Sequence, residues 1–257
     1  MLKKILLVGI VPLPFVLINP VNSFEFPEKP PYGEISANVG FYSQYVWRGE
    51  RQNNGQSAVQ GGLDYGVTLL DTYIDAYAGF WGSNVSGGTN TLSGNELDYY
   101  GGFTGAVPFL EDYFSWDAGF LYYDYPGMTD ENTANGARNV DFFEYYGSLS
   151  LAVPNPVTDI GISYYFGYSP AGFQQDEYDY QNVSMEIAIP NTPFIISGAA
   201  GFTGSEMTGG NAYSDYMASI STSAFGLDLG LAFTTIDGYG INDDESDQLI
   251  FSIGKSF

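Results

Sequence analysis

The sequence predicts an all-β protein, a transmembrane antiparallel up-and-down β-barrel of about twelve strands. Three observations predict it. Apolar and small or polar residues alternate in segments of about ten, the dyad pattern of membrane strands. The first 23 residues read as an export leader, with Lys3 and Lys4 as its charged start, Ile5 to Ile18 as its apolar core and Val21-Asn22-Ser23 as a small-residue cleavage site. The chain ends on an amphipathic strand with Leu249, Phe251 and Ile253 at alternate positions, closed by Phe257, the pattern expected of a barrel assembly signal.

The leader is expected to be a signal peptide over 1–23 rather than an anchor, because Pro12, Pro14 and Pro20 interrupt a stretch shorter than the roughly 20 residues a spanning helix needs. Residues 24–33 then form a short periplasmic segment, and 34–257 the outer-membrane barrel. The first expected strand, 34–48, puts Ile35, Ala37, Val39, Phe41, Tyr45 and Trp47 toward lipid and Asn38, Gln44 and Arg48 inside, because residues two apart share a face. A short outer loop, 49–56, leads to 57–69, with Gln60 and Asp64 inward. Leu70-Asp71 turns the chain into 72–83, which carries Asp75 inward. The long connection 84–95 precedes 96–107, where Glu96 and Asp98 face the lumen. After 108–113 comes 114–125 with Asp117, and after the long 126–139 comes 140–153 with Glu144. Pro154-Asn155-Pro156 is tight and opens 157–168 with Asp159; 169–178 is long and opens 179–189 with Glu186. Asn191-Thr192-Pro193 joins 194–205, 206–214 leads to 215–225, and Gly226 turns into 227–237 with Asp228. The connection 238–246 precedes the last strand, 247–257.

Two independent patterns support these elements. Proline cannot donate to a β-ladder, and Pro27, Pro30, Pro31, Pro108, Pro126, Pro154, Pro156, Pro170, Pro190 and Pro193 all fall outside the expected strands. Tight and long connections broadly alternate, as periplasmic turns and outer loops do. Ten strands would follow instead if two of the weaker segments are loops. Aromatic residues mark both ends of the strands, with Trp47, Trp81, Tyr122, Tyr145 and Tyr168 at the outer rim. Phe109, Tyr113, Trp116, Phe194, Phe225 and Phe257 mark the inner one.

Composition removes several function classes. The net charge is −23, and −25 once a leader carrying Lys3 and Lys4 is removed, so nucleic acid is not an expected partner. Disorder is excluded by 22 Tyr and 19 Phe. There is no Cys, hence no disulfide framework and no thiolate metal site. There is no His either, and a Ser-His-Asp arrangement needs an imidazole to shuttle its proton. No catalytic constellation is expected, and no cofactor. The acidic loop Asp243-Asp244-Glu245 with Asp247 lacks the spacing of a dedicated calcium loop, so no metal is assigned to it.

The inward charges carry the functional expectation. Arg48, Asp64, Asp75, Glu96, Asp98, Asp117, Glu144, Asp159, Glu186 and Asp228 are pore-lining candidates, and an acidic passage concentrates cations. The expected function is passive diffusion of small hydrophilic solutes through a cation-preferring channel. Two alternatives stay open: a lumen filled by ion pairs around Arg48, and a non-conducting barrel that acts through its outer loops. Expected partners are outer-membrane lipids, the barrel-assembly machinery, and small solutes or ions.

Short motifs add a resemblance. Ser43-Gln44-Tyr45-Val46-Trp47-Arg48-Gly49 followed by Gln60-Gly61-Gly62 resembles the opening signature of the TorF family of porins. Trp81-Gly82-Ser83-Asn84, Glu96-Leu97-Asp98-Tyr99-Tyr100-Gly101-Gly102, Tyr123-Asp124-Tyr125-Pro126, Glu144-Tyr145 and Gly254-Lys255-Ser256-Phe257 resemble its later motifs in order. The resemblance implies a pore. Arg48 and Glu144 match motif positions and face inward by parity, which makes them the expected constriction. Lys255 departs from the usual apolar residue two before the terminal aromatic, and its ammonium is expected to snorkel to water.

Overall fold

The computed structural model describes residues 32–70, 74–86, 93–126, 140–171, 177–204, 212–238 and 246–257. The expected leader, nearly all of the segment that follows it, and Asp243-Asp244-Glu245 lie outside the described residues. Twelve long antiparallel strands close into one barrel, each paired with its sequence neighbours and the last paired back to the first. They are β1 (Glu34–Tyr42), β4 (Ala58–Leu70), β5 (Ile74–Ser86), β6 (Ser93–Ala106), β7 (Phe114–Asp124) and β8 (Phe142–Val153). The circuit continues through β9 (Ile160–Ser169), β10 (Tyr178–Ala188), β11 (Phe194–Thr203), β12 (Tyr213–Ala224), β13 (Leu227–Gly238) and β14 (Gln248–Ser256). Two short strands, β2 (Val46–Trp47) and β3 (Glu50–Arg51), pair only with each other.

The alternation works as the pleat requires. Ile35, Val39 and Phe41 on β1, Leu63 on β4, Phe103 on β6, Leu149 on β8, Val183 and Met185 on β10, and Leu231 and Phe233 on β13 are exposed on the outer surface. A contiguous apolar belt of this kind is stable only against lipid. The residues between them point inward and are mostly polar, aromatic or small, with a few aliphatic side chains such as Leu121 and Ile250. The seam closes where Asn38 faces Ser256 and Tyr42 faces Ser252. Phe257 extends it, its N–H donating to Ala37 O at 2.8 Å and its carbonyl accepting from Ala37 N at 3.2 Å. Leu249 and Phe251 are exposed on that strand, and the Lys255 ammonium lies 5.2 Å from the Phe257 ring centre.

The principal difference from the expected layout lies after β1, which ends at Tyr42 rather than running to 48. Residues 43–57 turn into the barrel, so Tyr45 and Trp47 do not face lipid: Tyr45 is 1% exposed and Trp47 packs on interior rings. The turn is made by polar handovers at the strand end. Ser43 N–H donates to Phe251 O at 2.8 Å, Phe251 N–H donates to Ser43 Oγ at 3.0 Å, and Gln44 Nε2 donates to Leu249 O at 3.2 Å. Once inside, the aromatic and charged side chains find partners that lipid cannot offer. Trp81, expected at the outer rim, is likewise buried inside, edge-on to Tyr45 at 5.7 Å. The outer aromatic rim is formed instead by Tyr122, Phe143, Tyr145 and Tyr168, with Phe143 and Tyr122 centroids 4.9 Å apart.

Candidate functional site: a hairpin inserted in the lumen

The inserted segment is a hairpin in which Trp47 pairs with Glu50 and Val46 with Arg51, leaving Arg48-Gly49 as a two-residue turn. Both turn residues have positive φ, 49° and 83°, the left-handed pair that a type I′ hairpin requires and that Gly accepts without strain. Asn53, fully buried, braces the root: its Oδ1 accepts from Tyr45 N at 3.0 Å, and its Nδ2 donates to Gln56 O. Gln52 N–H donates to Tyr45 O at 2.9 Å, extending the ladder one step below β2 and β3.

The hairpin reaches across the outer half of the lumen and touches most of its circumference. Tyr45 Oη donates to Glu96 Oε1 on β6 at 3.0 Å. Val46 packs with Ala232 of β13 and Ile250 of β14. Trp47 lies 5.7 Å from Tyr123 and 6.5 Å from Phe142. At the tip, a Cβ on Gly49 would stand 2.9 Å from Asp215 Cβ and 3.1 Å from Ile236 Cβ, so only glycine lets the turn close against β12 and β13.

Arg48 makes the strongest contact. Its Nη2 lies 2.7 Å and 2.8 Å from the two Glu144 oxygens, with side chains 4% and 0% exposed. Tyr165 Oη and Tyr178 Oη donate to the same carboxylate at 2.5 Å and 3.1 Å. The guanidinium carbon sits 4.1 Å from the Tyr180 ring centre, 4.4 Å from Trp47 and 5.7 Å from Tyr178. Gly167 on β9 keeps the wall thin behind this carboxylate, since a Cβ there would meet Glu144 Cδ at 2.7 Å. Arg48 and Glu144, 96 positions apart, are thus brought into one buried cluster.

Four other lumen carboxylates, Asp64, Glu96, Asp117 and Asp215, follow a second rule: tyrosine hydroxyls serve them. Tyr77 donates to Asp117 at 2.7 Å and Tyr180 to Asp215 at 3.2 Å, while Tyr100 reaches Asp64. Asp98 differs, for both its oxygens and Glu96 Oε2 are buried without a hydrogen-bond partner. Asp75 and Glu186 lie farther toward the terminal end of the wall, and Asp228 there accepts from Ser223 Oγ at 2.9 Å. Asp159 is not on the wall: it is exposed in the turn before β9, where its carbonyl accepts from Ala188 N. Asp215, Tyr165, Tyr178 and Tyr180 were not among the expected lining residues. Parity alone signals Tyr180, which shares the inward register of Glu186, and Tyr165, which shares that expected for Asp159, whereas Tyr178 falls in the expected connection 169–178.

No curated protein matches the sequence. Among solved structures, an outer-membrane channel from Pseudomonas putida F1 is similar with a TM-score of 0.51 at 10% identity, covering 90% of this chain and 97% of that one. The KdgM porin is similar at a TM-score of 0.48 and 8% identity, over 86% of this chain and 98% of its own. At 10% identity the likeness to the Pseudomonas channel shows a shared barrel fold. The family model of bacterial proteins of unknown function, Gcw_chp, matches residues 28–257, and the chain belongs to that family.

Proposed function

We propose that the protein is an outer-membrane channel that passes small hydrophilic solutes with a preference for cations, its outer half narrowed by the inserted hairpin. One observation carries the reading: Asp64, Asp117 and Asp215 are hydrogen-bonded by tyrosine hydroxyls rather than paired with Lys or Arg. A phenol satisfies a carboxylate oxygen but leaves its charge in place, so these hydrogen bonds fix negative charge along the wall without cancelling it. Among the described residues the basic side chains are Arg48, Arg51 and Lys255, and Arg48 is committed to Glu144. Fixed negative charge between low-dielectric walls raises the local cation concentration. The resemblance to TorF porins and the shared fold with the Pseudomonas channel support the same reading. On it, residues 1–23 direct export and are removed, and the final strand is the segment that the assembly machinery engages.

The inserted hairpin favours a second reading, a closed barrel acting through its outer loops. Single-channel recording in planar bilayers under a potassium chloride gradient separates the two. The comparison is between the wild type and a variant with residues 44–53 replaced by a short Gly-Ser link. Cation-selective steps, larger in the variant, are expected. A folded, inserted variant that stays silent without its hairpin would sink the channel reading and leave the second.

A further inference from the structure

Arg48 fills a receptacle that the wall builds without it. Tyr165 on β9 and Tyr178 on β10 hold the Glu144 carboxylate from β8, at 2.5 Å and 3.1 Å, through hydrogen bonds in which the hairpin takes no part. Tyr180, also on β10, supplies a ring face 4.1 Å from the guanidinium carbon. Arg48 Nη2 meets both Glu144 oxygens while its Nη1 reaches Tyr178 Oη at 3.4 Å, and a carboxylate, a phenol and an aromatic face set together suit a planar, many-donor guanidinium better than a compact ammonium. The occupant is tethered imperfectly, since Arg48 Nε is buried with no hydrogen-bond partner. The hairpin is also anchored unevenly. Its roots are tied through Ser43 and Gln44 to β14, and through Gln52 O and Asn53 O to Ser86 on β5 at 3.2 Å each. Its tip is tied to the wall by the Arg48 side chain.

We infer that the cage of Glu144, Tyr165, Tyr178 and Tyr180 is a binding site for solutes bearing a guanidinium group, which Arg48 occupies as a tethered surrogate until such a solute displaces it. The inference rests on the channel reading, because a solute reaches the cage along the lumen, and it adds the solute class. Displacement and hairpin withdrawal are then one event: the solute takes over the Glu144 carboxylate and the tip loses its tie. A ligand tethered by a short linker competes at an effective concentration in the millimolar range, so the wild type binds a free guanidinium weakly.

The test is calorimetric titration of the refolded protein in detergent micelles with methylguanidinium, using tetramethylammonium at equal ionic strength as the control for general cation attraction. Arg48→Ala is expected to bind methylguanidinium about tenfold more tightly than the wild type, since the tethered competitor is gone. Adding Glu144→Gln to it abolishes the gain, and tetramethylammonium shows no such difference. An Arg48→Ala barrel that binds no tighter than the wild type, or binds equally well with Gln at 144, overturns the inference. Should Arg48→Ala not fold, Arg48→Lys serves, because an ammonium that bonds Glu144 cannot also lie flat on the Tyr180 ring and reach Tyr178; it too must bind methylguanidinium more tightly than the wild type. Micelle binding needs no conduction, so the two readings fail separately: cation-selective currents without binding sink the cage alone, and binding without currents sinks the channel alone.

Discussion

Replacing Glu144 by Gln leaves the Arg48 cation buried in the lumen with its charge partner gone. The two side chains are 4% and 0% exposed and meet at 2.7 Å. Removing one member of a buried pair of this quality costs about 3–5 kcal/mol. That penalty falls on the inserted state, because a withdrawn Arg48 reaches water. At tenfold per 1.4 kcal/mol, the equilibrium shifts toward withdrawal by roughly two to three and a half powers of ten. The chain contains no Cys, so a single Gln52→Cys reporter, at a position 8% exposed, reads the hairpin directly. Maleimide labelling should accelerate strongly in the Glu144→Gln background, and the open fraction in bilayers should rise with it. Adding Arg48→Met should return labelling part of the way to the parent rate, since the unpaired charge is then gone. Labelling and open fraction within about twofold of the parent would refute a hairpin held by this pair, because even 1.4 kcal/mol predicts tenfold.

Further substitutions probe the remaining contacts. Gly49→Val should weaken insertion by about 1–3 kcal/mol, from a φ of 83° and from a Cβ forced against Asp215 and Ile236, read as faster labelling of the same reporter. Asp98→Asn should raise the urea midpoint of unfolding by an amount equivalent to about 1–3 kcal/mol, because it removes a buried carboxylate whose oxygens have no partner; an unchanged or lower midpoint counts against that account. Deleting Phe257 removes two backbone hydrogen bonds to Ala37 at the closing seam and should slow folding into lipid vesicles, followed by the heat-modified shift on gels. Cation selectivity should fall as potassium chloride is raised from about 0.01 M to 1 M, where the screening length drops from about 30 Å to 3 Å, and selectivity insensitive to salt would contradict fixed wall charge as its source.

Twelve strands were legible because a lipid-facing wall imposes a period of two on every strand, and proline and the tight turns punctuate it. The expected 57–69 and 114–125 segments fall within a residue of Ala58–Leu70 and Phe114–Asp124. The inward register of Glu96, Asp98, Asp117 and Glu144 came from the same parity. Parity misassigned Tyr45 and Trp47, and the cause is physical. Residues 43–47 continue the alternation of β1, yet alternation specifies only which side chains share a face, not whether the backbone stays in the sheet. Ser43 and Gln44 bind β14 and turn the chain inward, a contact across 208 positions that no local pattern encodes. Asp215 was passed over because it stands at the very start of an expected strand, where the face it takes depends on register with Tyr180 on a strand two removed.

A closed, lipid-facing β wall with an acidic inner surface is written into the alternation of the chain, because membrane burial leaves such a chain no other way to satisfy its backbone and hide its carboxylates. What fills that wall came from the folded chain: residues 43–57 lie inside it, Arg48 meets Glu144, and tyrosines rather than cations hydrogen-bond Asp64, Glu96, Asp117 and Asp215. Those outcomes rest on distances between strands far apart in the chain, and barrel closure sets those distances.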